Sequence, residues 1–289
     1  MTVTKAQEPR ALLAVDLDGT LLTSTGAIAT SDRRALRELV SSGVYVALAT
    51  GRIAPGALPL AGELGLNAPC VCADGAVVVG LDGAPLFEHP LPEVLVRELV
   101  CEAEGPLDWF FFSADRIYAL EGSAPRWPWV AGWTGRQRAL LRELHELDPH
   151  GVCFALGIGS PRAVERYSRA FQRTNSGATQ ASAFALDADA WAVRVRASGV
   201  DKARGLAALA EHLGVPRQRV GFVGDFTNDL GALTWAGTSF CMGHAPDCVQ
   251  RAAHTVLGAT SERGGGVAEA VPAWRLRLDG LSLERVSVH

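Results

Sequence analysis

Ala11-Leu12-Leu13-Ala14-Val15 runs without a polar residue into Asp16-Leu17-Asp18-Gly19-Thr20. A short apolar run closed by a glycine turn reads as a buried strand, since strands covered on both faces are hydrophobic throughout. Its end delivers two carboxylates two positions apart. Side chains alternate along an extended chain, so both acids share one face if the backbone stays extended, and Gly19 then lets the chain turn away. Two carboxylates that close repel unless something positive lies beside them, and a divalent cation with oxygen ligands is the natural partner.

Three further signatures follow in order. The strand-like Val44-Tyr45-Val46-Ala47-Leu48-Ala49 leads to Thr50-Gly51-Arg52. Ser198-Gly199-Val200-Asp201 precedes Lys202 at the start of a helical pattern carrying Leu206, Leu209 and Leu213. The apolar Val220-Gly221-Phe222-Val223 leads to Gly224-Asp225-Phe226-Thr227-Asn228-Asp229. These four signatures, spanning Asp16 to Asp229, resemble the haloacid dehalogenase superfamily of aspartate-nucleophile phosphohydrolases, and specifically its Cof-type sugar-phosphatase-like branch.

The resemblance implies a Rossmann-like α/β core with a parallel sheet and an inserted α+β cap. It implies Asp16 as nucleophile and metal ligand, because a carboxylate is ionised at neutral pH and attacks phosphorus without a base to activate it. Asp18 becomes the general acid and base, with its backbone carbonyl facing the metal and its side chain free for proton transfer. Thr50 and Lys202 are the phosphate holders, with Gly51 between Thr50 and an Arg52 that either grips substrate or pairs on the surface. Asp225 is a direct magnesium ligand and Asp229 a direct or water-mediated one, while Asn228 orients a ligand or the phosphate. The implied cofactor is Mg2+ and the implied partner a small-molecule phosphate ester. A phosphotransferase or phosphomutase would use the same aspartyl-phosphate. A catalytically silent regulatory protein on this fold would be expected to lack Asp16 or Asp18, and both are present.

Strands alternate with helices at both ends of the sequence and differently in the middle. The pattern predicts a core from residues 1–84 and 198–275, a cap over 85–197, and a loosely attached tail over 276–289. Ser31 is placed to cap a helix bearing Leu36, Leu39 and Val40. In the cap the spacing predicts helices over Arg136–Leu147 and Arg162–Arg173 and a Pro- and Trp-rich loop over Ser123–Gly135. The contiguous aromatics Trp109, Phe110, Phe111 and Phe112 read as cap core. Trp127, Trp129 and Trp133 are the better candidates for stacking on substrate.

The chain has 27 Lys and Arg against 31 Asp and Glu, a net charge of -4 without long runs of either sign, so a basic nucleic-acid face is poorly supported. No apolar segment approaches membrane-spanning length and the first ten residues lack a signal core, which leads to an expected cytoplasmic protein without a membrane partner. Cysteines 70, 72, 101, 153, 241 and 248 sit mostly in apolar runs and read as buried free thiols. Cys70-Val71-Cys72 has no matching pair elsewhere and makes a weak metal site.

Two positions depart from the Cof-type pattern. Asp74 stands where Asn is usual in Asn-Gly-Ala, and His244 where Asn is usual in Gly-Asn-Ala. Asp74 adds a negative charge near the phosphate site, which weakens binding of a dianion unless that charge is paired or protonated. His244 reads as a surface or structural histidine that could tune substrate choice.

Overall fold

The computed structural model describes residues 10–102, 105–131, 138–141, 143, 146–174, 177 and 179–286. The chain divides into two compact units, Met1–Ala49 with Ala61–Pro69 and Leu206–His289, and Thr50–Leu60 with Cys70–Gly205. It passes between them four times, after Ala49, within α2 (Ala54–Leu64), after Pro69 and within α5 (Lys202–His212). Strands and helices are numbered in chain order along the whole sequence.

The first unit is built on β1 (Leu12–Val15), β2 (Tyr45–Leu48), β12 (Val220–Gly224), β13 (Thr238–Cys241) and β14 (Thr255–Val256). They form one parallel sheet of order β14-β13-β12-β1-β2. The apolar run that opens the sequence is its centre, with Leu12 to Val15 at 0% exposure. Val15 pairs in register with Leu48 on one side and Val223 on the other, so β1, β2 and β12 end level at the carboxyl edge. Open α/β sheets bind ligands at that edge. Gly221 is required inside β12 because the buried indole of Trp274, on α8 (Gly266–Val286), lies 2.8 Å from where a Cβ would stand. The short helices α6 (Leu230–Trp235) and α7 (Asp247–Ala252) complete the crossovers.

Helix α1 (Thr30–Ser41) starts one residue before Ser31, which makes no cap; Ala29 precedes it without a side-chain hydrogen bond. Asp32, in its first turn, instead serves the neighbouring helix. Its carboxylate accepts from the backbone N–H of Gly265 (2.8 Å) and Ala268 (2.9 Å) at the start of α8. Burial pushes the Asp32 carboxyl above its usual range, and these backbone bonds pull back against that shift. Asp32→Ala strands both donors and is expected to cost about 1–2 kcal/mol, read from the urea midpoint at constant slope. Asp32→Asn, which keeps one acceptor, should lose less.

Of the tail predicted over 276–289, residues 276–286 are helical as the end of α8. Trp274 at 0% and Leu278 at 8% exposure lie four residues apart on one helical face, which carries the helix past Arg275 while Leu276 faces out at 73%.

The second unit contains the antiparallel strands β3 (Cys70–Cys72), β4 (Val77–Val79) and β5 (Pro85–Glu88), the last two joined through Gly83 at φ +87°. After α3 (Glu93–Glu102) comes a six-stranded sheet of β6 (Asp108–Phe112), β7 (Ile117–Leu120), β8 (Arg138–Leu141), β9 (Phe154–Gly159), β10 (Thr179–Ala185) and β11 (Trp191–Ala197), in the order β10-β11-β9-β6-β7-β8. Helix α4 (Pro161–Thr174) packs on β9, β10 and β11. The predicted helix over 136–147 is corrected: Arg138–Leu141 is a strand, parallel to β7. Arg, Ala and Leu favour helix locally, and ladder pairing with Ile117–Leu120 overrides that weak preference. The predicted loop after Ser123 lies partly in a 3-10 helix over Glu121–Trp129.

Trp109, Phe110, Phe111 and Phe112 are buried, and Phe112 stacks on Phe154 at 4.1 Å between centroids, so these aromatics form core. Trp127 and Trp129 are half-buried, Trp127 lying 6.0 Å from Phe110; Trp133 falls outside the described residues. Cys70, Cys72, Cys153 and Cys241 are buried, and Cys101 and Cys248 are exposed. Among the described residues no helix is long and apolar enough to cross a membrane.

Candidate active site

Asp16 continues the central strand, its N–H donating to Val223 O at 2.9 Å. The extended backbone that would put Asp16 and Asp18 on one face is not present, because β1 stops at Val15. Leu21 N–H reaches back to Asp16 O (3.2 Å) and Leu22 N–H to Leu17 O (2.8 Å), coiling the backbone through Gly19 at φ +89°. Asp16 is thereby buried at 4% exposure while Asp18 is exposed.

Asp16 is joined instead by carboxylates from the far end of the sequence. Asp16, Asp225 and Asp229 each bring one oxygen to within 4.8 Å of the others, at 4%, 6% and 0% exposure. Asp18, predicted as a fourth member through its carbonyl, does not bring its carboxylate into this group. Asp229 is aimed by its own loop: its Oδ2 accepts from the N–H of Asp225 (2.9 Å) and of Phe226 (3.0 Å). Gly224 makes room, since a Cβ there would stand 2.6 Å from that oxygen. Gly19 plays the same part for Asp225, whose Cγ lies 2.9 Å from the Cβ that Gly19 lacks. Asn228, in the 3-10 turn Thr227–Asp229, is half-buried.

Asp225 is held from both sides. Thr20 Oγ1 donates to its Oδ1 at 2.7 Å, and His244 Nε2 lies 3.2 Å from its Oδ2. The tautomer of His244 follows from its other nitrogen: Ser261 N–H donates to Nδ1 at 3.2 Å, so in the neutral ring the hydrogen sits on Nε2 and is donated to Asp225. Three buried carboxylates at this separation repel by roughly 3 kcal/mol per pair at an effective dielectric near 20. The donor set is oxygen only, hard and anionic, and fits a hard divalent cation.

In the second unit, Thr50 is buried at 1% exposure and Lys202 at 0%. Thr50 N–H donates to Val71 O (2.8 Å), and its Oγ1 accepts from Arg52 N–H (3.1 Å), which closes a tight turn through Gly51. Arg52 is half-buried, its Nη1 3.4 Å from Gly56 O. Lys202 opens α5, capped by Asp201, whose Oδ1 accepts from Arg204 N–H at 2.9 Å. The Asp74-Gly75 turn lies between these pieces. Asp74 N–H donates to Thr50 O (3.1 Å), and a Cβ on Gly75 would run into the carbonyl oxygen of Asp201.

The family model of the haloacid dehalogenase-like hydrolases matches residues 13–271. The chain belongs to that family. It is a Cof-type haloacid dehalogenase-like hydrolase, an enzyme of the phosphatase kind. A 5-amino-6-(5-phospho-D-ribitylamino)uracil phosphatase of Bacillus subtilis is 27% identical over 282 residues, 96% of this chain and 100% of that protein. A phosphoglycolate phosphatase of Methanopyrus kandleri is 27% identical over 257 residues, 89% of this chain and 94% of its own. The crystal structure of a haloacid dehalogenase-like hydrolase from Bacteroides thetaiotaomicron superposes with a TM-score of 0.79 at 25% identity, covering 91% of this chain and 99% of that one.

Sequence reasoning misses four residues of this haloacid dehalogenase-like hydrolase. Thr20 shows in the sequence only as the close of a motif, and it holds Asp225. His244 reads as a surface or structural histidine in the sequence, and the in-register pairing of Gly224 with Cys241 brings the residues following β12 and β13 together. Arg194 and Arg196 alternate with valines in β11, a signal of charge directed to one face of an otherwise apolar strand.

Proposed function

We propose that this hydrolase is a magnesium-dependent phosphatase of a small phosphorylated metabolite with a sugar or sugar-like chain, working through an aspartyl-phosphate on Asp16. The buried group of Asp16, Asp225 and Asp229 carries the reading, because three acids within 4.8 Å need a cation and one of them follows the central strand. When bound, the cation would supply charge neutralisation for the acids and the phosphoryl oxygens.

An Asp16 oxygen forms a bond to phosphorus as the ester P–O bond breaks. Asp18, exposed and outside the carboxylate group, donates a proton to the departing oxygen. It then takes a proton from the water that attacks the phosphoenzyme, returning the Asp16 carboxylate and inorganic phosphate. Thr50 and Lys202 are assigned to the non-bridging oxygens by the order of motifs in the sequence and by their burial. Asn228 and Arg52 are assigned to orienting the substrate. Residues 85–197 are assigned the choice of substrate, with 1–84 and 198–275 holding the chemistry. The phosphorylated ribityl chain named for the Bacillus subtilis relative supports a sugar-like substrate.

Inorganic phosphate release, measured over sugar phosphates, nucleotides, pyridoxal phosphate and flavin phosphates, tests this. The expected result is hydrolysis of one or more sugar-type esters that falls at least about a hundredfold on chelation and returns with magnesium. Release that survives chelation overturns the metal assignment. Transfer to an added alcohol in preference to water replaces hydrolysis with phosphotransfer.

A further inference from the structure

Asp74, the acid at an Asn position of the Cof-type pattern, is 2% exposed in the second unit. Ala73 at φ +51° and Asp74 at φ +53° are the only non-glycine residues with positive φ among the described residues, and left-handed backbone costs energy unless its surroundings fix it. The surroundings are the candidate phosphate loop. Ala73 N–H donates to Arg52 O at 2.8 Å and Asp74 N–H to Thr50 O at 3.1 Å, on either side of Gly51. The Asp74 Oδ1 lies 3.1 Å from the Cβ that Gly51 lacks. Its Oδ2 forms an ion pair with Arg194 Nη1, with side-chain exposures of 3% for Asp74 and 12% for Arg194.

Arg194 reaches Asp74 from β11 and is itself locked, its guanidinium lying 5.8 Å from the Phe154 ring centroid and 5.2 Å from that of Phe184. Arg196, two residues on, shares its strand face. Burial holds the Arg196 guanidinium below its ordinary range, Asp74 and Asp201 act against that shift, and Arg194 adds to it.

We propose that Arg194 is a positioning residue for phosphate binding: by pairing with Asp74 it cancels the carboxylate beside Thr50 and Gly51 and fixes the strained turn that supports them, so the loop accepts a dianion. The proposal rests on the assignment of Thr50 and Lys202 as phosphate holders. It converts the unusual acid at 74 from a defect into one half of a replacement pair, the other half standing 120 positions along the chain. Asp and Asn both tolerate left-handed backbone, so Asp74→Asn changes charge without changing the turn.

The test measures inorganic phosphate affinity by calorimetry, alongside thermal unfolding, for the intact protein and for R194M, R194K, D74N and the D74N/R194M double variant. R194M is expected to weaken phosphate binding about tenfold to a hundredfold, since the Asp74 carboxylate then stands beside Thr50 and Gly51 without the Arg194 guanidinium paired to it. R194K should retain most of the affinity, D74N should bind as tightly or more tightly, and the double variant should recover to within about threefold of the intact protein. A purely structural pair would lower the unfolding temperature of R194M and leave its phosphate affinity unmoved, which overturns the proposal. So does a D74N variant that binds phosphate as poorly as R194M, and D74N with R194K decides the question if R194M does not fold. An intact protein that binds no phosphate overturns the phosphate-holder assignment and this proposal together, whereas failure of the variant pattern alone leaves that assignment standing.

Discussion

Asp16→Asn is expected to lower phosphate release at least about a thousandfold while leaving a cooperative, fully folded protein. The substitution is isosteric and keeps the backbone bond from Asp16 N–H to Val223 O. It removes the carboxylate proposed as nucleophile, and an amide does not attack phosphorus at a useful rate. It also removes one of three charges held within 4.8 Å of each other at 4%, 6% and 0% exposure. Relief of that repulsion predicts an unfolding temperature, measured in chelator, equal to or above that of the unsubstituted protein. Addition of magnesium should then stabilise Asp16→Asn less than it stabilises the unsubstituted chain, because one ligand charge is gone. Phosphate release within about tenfold of the original would remove Asp16 from the nucleophile's role. A large fall in unfolding temperature in chelator would remove the repulsion argument.

The core around Asp16 was legible because each part of it is a local pattern. Leu12–Val15, Tyr45–Leu48 and Val220–Gly224 are apolar runs, and parallel strands buried on both faces must be apolar runs. Their level ends follow from register, so Asp16 and Asp225 could be placed near each other from order alone. What the sequence hides is whatever depends on contact between distant residues. Arg138–Leu141 joins a sheet because β7 is there to pair with it, and nothing in Arg-Ala-Leu-Leu says so. The extended backbone that would put Asp16 and Asp18 on one face gives way to two backbone bonds that coil the chain after Val15. Asp74 shows its charge in the sequence, whereas its partner Arg194 is visible only once β11 is folded beside the turn.

His244 sits between these cases. Its replacement of Asn is plain in the sequence, and the role it takes is decided by neighbours. Ser261 N–H claims Nδ1, which commits Nε2–H to Asp225, while Thr20 holds the other oxygen of the same carboxylate. Asp225 is thus fixed through both oxygens, by the Thr20 hydroxyl and the His244 ring. A carboxylate oriented in advance loses less entropy when a cation arrives, which is the role outer groups play around metal ligands generally.

Lys202→Met is expected to reduce kcat/KM for a phosphomonoester about a thousandfold, and the reason lies in where the lysine stands. Lys202 is the first residue of α5 and has 0% exposure. A helix start favours negative charge, and the Asp201 cap, accepting from Arg204 N–H at 2.9 Å, obeys that preference. A cation in the first turn works against it, and burial adds the cost of desolvating an ammonium. Residues that break local rules in this way mark function more often than packing, because stability alone would have selected an apolar side chain of the same length. Methionine matches the stem in volume and in helix preference, so the helix and the contact between Gly75 and the Asp201–Lys202 peptide should survive. The ammonium's share of charge stabilisation on the transferring phosphoryl group would be gone, a loss of the size seen when such a cation is removed in phosphoryl transfer generally. Steady-state kinetics and thermal unfolding on the same preparation separate the two effects. Near-normal kcat/KM together with an unfolding temperature lowered by several degrees would make Lys202 a structural residue and take the phosphate-holding role from it.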